Sequence, residues 1–145
     1  GCSAYSGIPL THRGLSRRVQ FITGHFNNDE PLDLNWQSIA DPESTLVIFM
    51  GLANLPLITR SLIDAGLSAA TPAAAVQNGT TENQRRVIST IDKLSDAIEE
   101  QQMQAPVMII IGKVVALADE LDWFQRELDA DNEKEHWHQQ DAVHR

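Results

Sequence analysis

Apolar positions in this chain fall into short blocks that switch between two periods. Residues 45–50, TLVIFM, and residues 107–111, VMIII, are continuous apolar runs, closed by Gly51 and Gly112. Their length and β-branching predict strands buried on both faces. Residues 19–23, VQFIT, are β-rich and stop at Gly24, which predicts another strand. Between these runs the period changes. Leu55, Ile58, Leu62 and Ala65 lie at helical spacing, with Asn54 available as a cap, Pro56 in the first turn and Gly66 as a stop. A second helix, opened by Thr90, carries Ile91, Leu94, Ala97 and Ile98 on one face. A short helix is predicted over residues 34–40. The end of a helix of small residues is predicted over residues 1–7, broken by Gly7 and Pro9. Residues 73–77 and 86–89 are two extended pieces with the turn Asn78-Gly79 and no helix between them.

Strands apolar on both faces, alternating with helices, give an α/β fold, an αβα layered domain. The extended pair predicts one antiparallel pairing, so the sheet is expected to be mixed and mostly parallel. The pattern fails after Phe124. Residues 125–145 are polar and charged, and read as a frayed helix or a disordered tail. One domain over 1–124 and a charged tail over 125–145 is the expected organisation.

Composition narrows the function. A net charge of −9 argues against a general nucleic-acid binder, which needs a basic face. No apolar stretch reaches a membrane span; the longest, residues 106–117, is interrupted by Gly112 and Lys113. No basic segment leads into an apolar one as in a signal peptide. Cys2 is the only cysteine, so no internal disulfide can form, which fits a reducing cytoplasm; Cys2 itself reads as a small buried filler. The charge is uneven. Residues 1–28 hold no carboxylate but include His12, Arg13, Arg17, Arg18 and His25. Such a basic corner on an acidic protein is either a local anion site or a solvated loop. His136, His138 and His144 have no cysteine nearby to complete a metal set, and no metal is expected. The acids over residues 119–135 read as a solvated face, and Trp36 and Trp123 as packing in the core's shell.

Several blocks stand in a fixed order. They are GIPLTHR over residues 7–13, Thr23-Gly24-His25 closing the first strand, Met50-Gly51-Leu52 after the second, and TPAAAVQNGTT over residues 71–81. QRRV over residues 84–87, GKVVAL over residues 112–117 and LDWF over residues 121–124 follow. In this order the blocks resemble the second domain of uroporphyrinogen-III C-methyltransferases, within the tetrapyrrole methylases, across nearly all of residues 1–124. The opening run has no helix or strand start signal and resembles the middle of a site wall, so a preceding half is expected.

The resemblance implies S-adenosylmethionine as methyl donor, held between two α/β domains. Methylation of uroporphyrinogen III at C2 and C7 would give precorrin-2, on the way to sirohaem and cobalamin. The Gly-Pro-Gly-Asp loop, the Gly-Gly-Asp turn and the acid/base residues of the family's first domain have no counterpart in this sequence. No catalytic residue is therefore assigned, and this chain alone is expected to be inactive. By the same resemblance Met50 would touch both cofactor and tetrapyrrole, its thioether packing at a buried strand end. Gly79 would let the cofactor approach the backbone, and Pro72, Ala73 and Ala74 would line the same pocket. Thr11, His12 and Arg13 would meet the substrate's carboxylates, which suit guanidinium forks. A cytoplasmic homodimer with no nucleic-acid or membrane partner is implied. Two other readings remain: a tetrapyrrole methylase acting at another ring carbon, and a non-catalytic fold remnant serving dimerisation or interaction.

Overall fold

A computed structural model describes residues 2, 6–25 and 33–118. Five strands form one sheet: β1 (Arg18–Thr23), β2 (Ser44–Phe49), β3 (Pro72–Gln77), β4 (Arg85–Thr90) and β5 (Val107–Ile111), in the order β1-β2-β5-β3-β4. The helices are α1 (Trp36–Ile39), α2 (Leu55–Asp64) and α3 (Leu94–Glu100), with 3-10 turns at Leu52–Asn54 and Lys113–Leu117. The tail expected over residues 125–145, the block over residues 121–124 and the 124/125 boundary lie outside the described residues.

The sheet is mixed, as expected, but its proportions differ from the expectation of a mostly parallel sheet. Of the described pairings only β1–β2 is parallel; β2–β5, β5–β3 and β3–β4 are antiparallel. The reason is connectivity. The β3–β4 link is too short for a crossover, so that pair closes as a hairpin. β5 returns from α3 and inserts between β2 and β3, running against both. β2 and β3 therefore point the same way, and their C-terminal ends come out at one end of the sheet, on either side of the start of β5.

The register explains the unbroken apolar runs. Leu46 and Ile48 pair with Ile111 and Ile109, and Ala73 and Ala75 flank the same two isoleucines. These side chains join Leu55, Ile58 and Leu62 of α2 and Leu94 and Ile98 of α3 in the larger core. On the opposite face Ala74 and Ile110 pack under Ile8, Val114, Val115 and Ala118. β5 is thus covered on both sides. Trp36 packs half-buried against the larger core, in the shell expected of it.

Two expected caps do other work. Asn54 precedes α2 but makes no capping bond; its Nδ2 donates to the carbonyl of Gly24 at 2.7 Å and ties the end of β1 to the start of the helix. Thr90 stays in β4, its hydroxyl bonded to the Asp92 carboxylate, and α3 begins four residues later at Leu94.

Candidate functional site

Where β2 and β3 exit beside the start of β5, a cleft of about 630 Å³ opens. Phe49 and Met50 come from the end of β2, Val76 from β3, Asn78 and Gly79 from the loop beyond it, and Val107 and Met108 from β5. Cys2 is a further wall residue. The crevice outside the carboxyl ends of strands is where α/β sheets bind ligands, and the size suits one drug-sized molecule.

The walls are held by backbone and side-chain bonds. The Asn78 N–H donates to the Pro106 carbonyl at 3.1 Å, fixing the β3 loop to β5. The Thr81 hydroxyl donates to the Asn78 carbonyl at 2.7 Å, and the Thr80 N–H to Oε1 of Gln84 at 2.8 Å. Two non-glycine residues of this loop have left-handed backbones, Asn78 at φ 50° and Thr80 at φ 69°. Below the β2 exit, Gly24 and Gly51 are so close that a Cβ on Gly24 would stand 2.5 Å from Cα of Gly51.

Met50 departs from the sequence expectation in one respect. It does not sit in a buried position: it is 62% exposed, at φ 53°. A left-handed backbone costs an ordinary L-residue roughly 1–2 kcal/mol. Exposure removes core packing as the reason for a long side chain there, and leaves its position on the cleft rim.

Cys2 is half-buried, and burial raises its thiol pKa above the usual value, so it stays protonated at neutral pH. No other ionisable side chain is among the described residues lining the cleft. Among the described residues no group of His, Cys, Asp or Glu could hold a metal. Such walls can bind and orient an apolar or aromatic ligand and offer backbone polar groups to it; they present no general base.

The structure brings Met50 and Gly79 together. Ala73 and Ala74 are fully buried and Pro72 half-buried towards the other end of β3, outside the cleft lining. Thr11, His12 and Arg13 are exposed on a turn closed by the His12 N–H to Ser16 carbonyl bond of 2.9 Å. Ser16 accepts from the Thr45 hydroxyl at 2.9 Å, so this turn sits beside the starts of β1 and β2. Across six-residue strands it is roughly 20 Å from the cleft. Near it Arg17, Lys113 and Glu43 line a polar hollow of about 290 Å³. Sequence reasoning missed Cys2, Phe49, Val107 and Met108 as cleft walls. For the last three the signal was available, since they end or begin the two apolar runs, but the pairing that joins those ends was not.

Comparison with known proteins bears on the family and the fold. A sequence profile of the tetrapyrrole (corrin/porphyrin) methylases matches residues 1–95. A siroheme synthase of Azotobacter vinelandii is 47% identical over 131 residues, 90% of this chain and 28% of its own length. Another, of Stutzerimonas stutzeri, is 50% identical over 125 residues, 86% of this chain and 27% of its own. The chain thus spans about a quarter of these relatives. The structure of uroporphyrin-III C-methyl transferase from Thermus thermophilus complexed with S-adenyl homocysteine superposes with a TM-score of 0.64 at 30% identity, covering 78% of this chain and 49% of that one. No described helix is long and apolar enough to cross a membrane.

Proposed function

This chain belongs to the tetrapyrrole (corrin/porphyrin) methylases, and we propose that within them it forms one half of a uroporphyrinogen-III C-methyltransferase. The reaction is methylation of uroporphyrinogen III at C2 and C7 to precorrin-2, in a cytoplasmic homodimer. The observation that carries the reading is the cleft at the ends of β2 and β3, walled by Met50 and Gly79 together.

The residues present suit S-adenosylmethionine. The cleft has the volume for one such ligand, apolar walls for an adenine ring, and the backbone of Gly79 on a wall it shares with Cys2. Bound there, S-adenosylmethionine supplies an electrophilic methyl group for a ring carbon. In this reading Gly79 offers its backbone to the adenosyl group. Met50, at the rim, packs its polarizable thioether between cofactor and tetrapyrrole. Pro72, Ala73 and Ala74 act from behind, their small side chains letting Ile8 and the helix layer hold β3 in place. Thr11, His12 and Arg13 draw in the substrate's carboxylates from the far end of the strands, as a local positive field against an acidic background. The contribution of this half is orientation of two partners, an effect that reaches about 7–11 kcal/mol in favourable cases. Acid/base groups belong to the part of the enzyme that this chain does not span, so the chain by itself is expected not to turn over.

The test is calorimetric titration of the chain with S-adenosylhomocysteine, beside an assay of labelled methyl transfer to uroporphyrinogen III. Saturable binding without turnover is expected. A folded chain that binds no S-adenosylhomocysteine would sink the proposal for the cleft, and turnover by the chain alone would sink the division of labour.

A further inference from the structure

Phe21 and Phe49 are stacked, with ring centroids 6.2 Å apart and planes 14° from parallel. Both face solvent, Phe21 at 61% and Phe49 at 44% exposure. The register places them on one face: Phe21 is opposite Val47, and Phe49 is opposite Thr23, the next residue on the same side. Among the described residues β1 is an edge strand, and none of their strands shields Phe21. Phe49 is also a wall of the cleft, and Met50 beside it is the rim. Of the four large hydrophobic side chains exposed among the described residues, three thus form one strip running out of the cleft along β1.

We propose that the Phe21–Phe49 pair is a substrate ledge, on which a pyrrole ring of the tetrapyrrole lies outside the cleft. The inference rests on the methylase reading above and names where its acceptor sits. The first reason is space. The cleft suits one drug-sized ligand, whereas methyl transfer requires donor and macrocycle together, and the Phe21–Phe49 strip is apolar surface adjoining that cleft. The second is chemistry. The strip offers two aromatic faces, and flat π-systems stack on such faces in offset arrangements. The third is charge. At one end of β1, Arg13 and Arg17 are exposed with no ion-pair partner among the described residues, while Arg18 is engaged by Asp41. His25 is exposed just past the other end. An apolar strip with exposed arginines at one end fits a ring system whose rim carries carboxylates. On this reading the ledge also connects the cleft to the basic turn, two features that the strands otherwise keep roughly 20 Å apart.

The experiment titrates the full chain with uroporphyrin III, followed by its fluorescence, and separately with S-adenosylhomocysteine. Phe21→Ser is expected to weaken uroporphyrin about three- to tenfold, the range of one aromatic contact. Phe21→Trp, which keeps a ring, should bind it near the wild-type level. S-adenosylhomocysteine affinity should be unchanged in both, because Phe21 does not line the cleft. Phe21 is exposed, so the variants are expected to fold, and a thermal melt checks this. Equal uroporphyrin affinity in wild type and Phe21→Ser overturns the ledge and leaves the methylase reading standing. So does a Phe21→Ser chain that only loses self-association by sedimentation, which would make the strip a contact between copies. A wild-type chain that binds S-adenosylhomocysteine but not uroporphyrin also overturns the ledge; one that binds neither overturns both readings.

Discussion

A Cβ added to Gly79 would lie 2.2 Å from Sγ of Cys2 and 3.0 Å from its Cβ. Asn78-Gly79 reads as a turn in which glycine supplies a positive φ, yet Asn78 and Thr80 carry the positive φ values in this loop. Glycine is needed at position 79 because Cys2 is packed against it. The amino-terminal segment and the β3 loop are thereby joined across one wall of the cleft.

Gly79→Ala should therefore destabilise the chain by about 1–3 kcal/mol, the usual cost of overpacking. Cys2→Gly should rescue most of that loss, since it removes both close atoms. A double-mutant cycle from denaturant midpoints measures the coupling. Additive effects of the two substitutions would mean that the close approach carries no energy.

Gly24→Ala should be worse than Gly79→Ala. Its new Cβ would meet Cα of Gly51 at 2.5 Å, and backbone cannot rotate away as a thiol can. The same shift would strain the Asn54 Nδ2 bond to the Gly24 carbonyl. The expected loss is at or above the upper part of the roughly 1–3 kcal/mol range. Chemical denaturation of the two variants side by side gives the order, and a milder Gly24→Ala would refute it.

Met50→Gly should raise stability by up to about 1 kcal/mol, because glycine adopts a left-handed backbone freely. The same substitution should weaken S-adenosylhomocysteine binding, since the rim thioether is gone. Met50→Ala keeps the strained backbone and loses little packing, so it should cost far less than the roughly 2–5 kcal/mol of a buried methionine. Thermal melts together with calorimetry separate the two effects. Lower stability in Met50→Gly, or unchanged affinity, would contradict this account.

Asp41 gives the fold a dependence on acid. The backbone N–H of Glu43 at 3.0 Å and the Ser44 hydroxyl at 2.8 Å donate to its carboxylate, and Arg18 lies at 3.3 Å. These contacts, the Glu43 bond foremost, hold its pKa below the ordinary value. A depressed carboxylate stabilises the folded state fully above its unfolded pKa, about 3.9. That contribution disappears as pH falls through the lower folded value. Asp41→Asn should lose stability at neutral pH and show a shallower decline in acid. Parallel acid-denaturation slopes for variant and wild type would exclude Asp41 as a contributor.

Met50 and Gly79 were legible as site residues through the family resemblance of the blocks that carry them, whereas local pattern marks them only as a strand end and a turn. Met50 and Gly79 each follow a strand that its own residues announce, and both reach the cleft. Asn54 and Thr90 were legible as helix caps and proved otherwise, because a side chain near a helix start has other partners once the chain is folded. For Asn54 the partner is a carbonyl thirty residues away in sequence.

By itself the sequence determined which segments are strands and which are helices, since period and β-branching are properties of a few neighbouring residues. It determined that β2 and β5 are central, because only strands covered on both faces lack polar positions. It also placed the basic corner at the amino-terminal end. Tertiary structure alone decided the order β1-β2-β5-β3-β4 and the antiparallel insertion of β5, which depend on pairings between segments far apart in the chain. That insertion makes β2 and β3 point the same way, gathers Met50 and Gly79 at one end of the sheet and leaves the Thr11-His12-Arg13 turn at the other. Packing also brought Cys2 against Gly79, a contact that no local pattern encodes, because it is a distance between two pieces of backbone rather than a preference of either one.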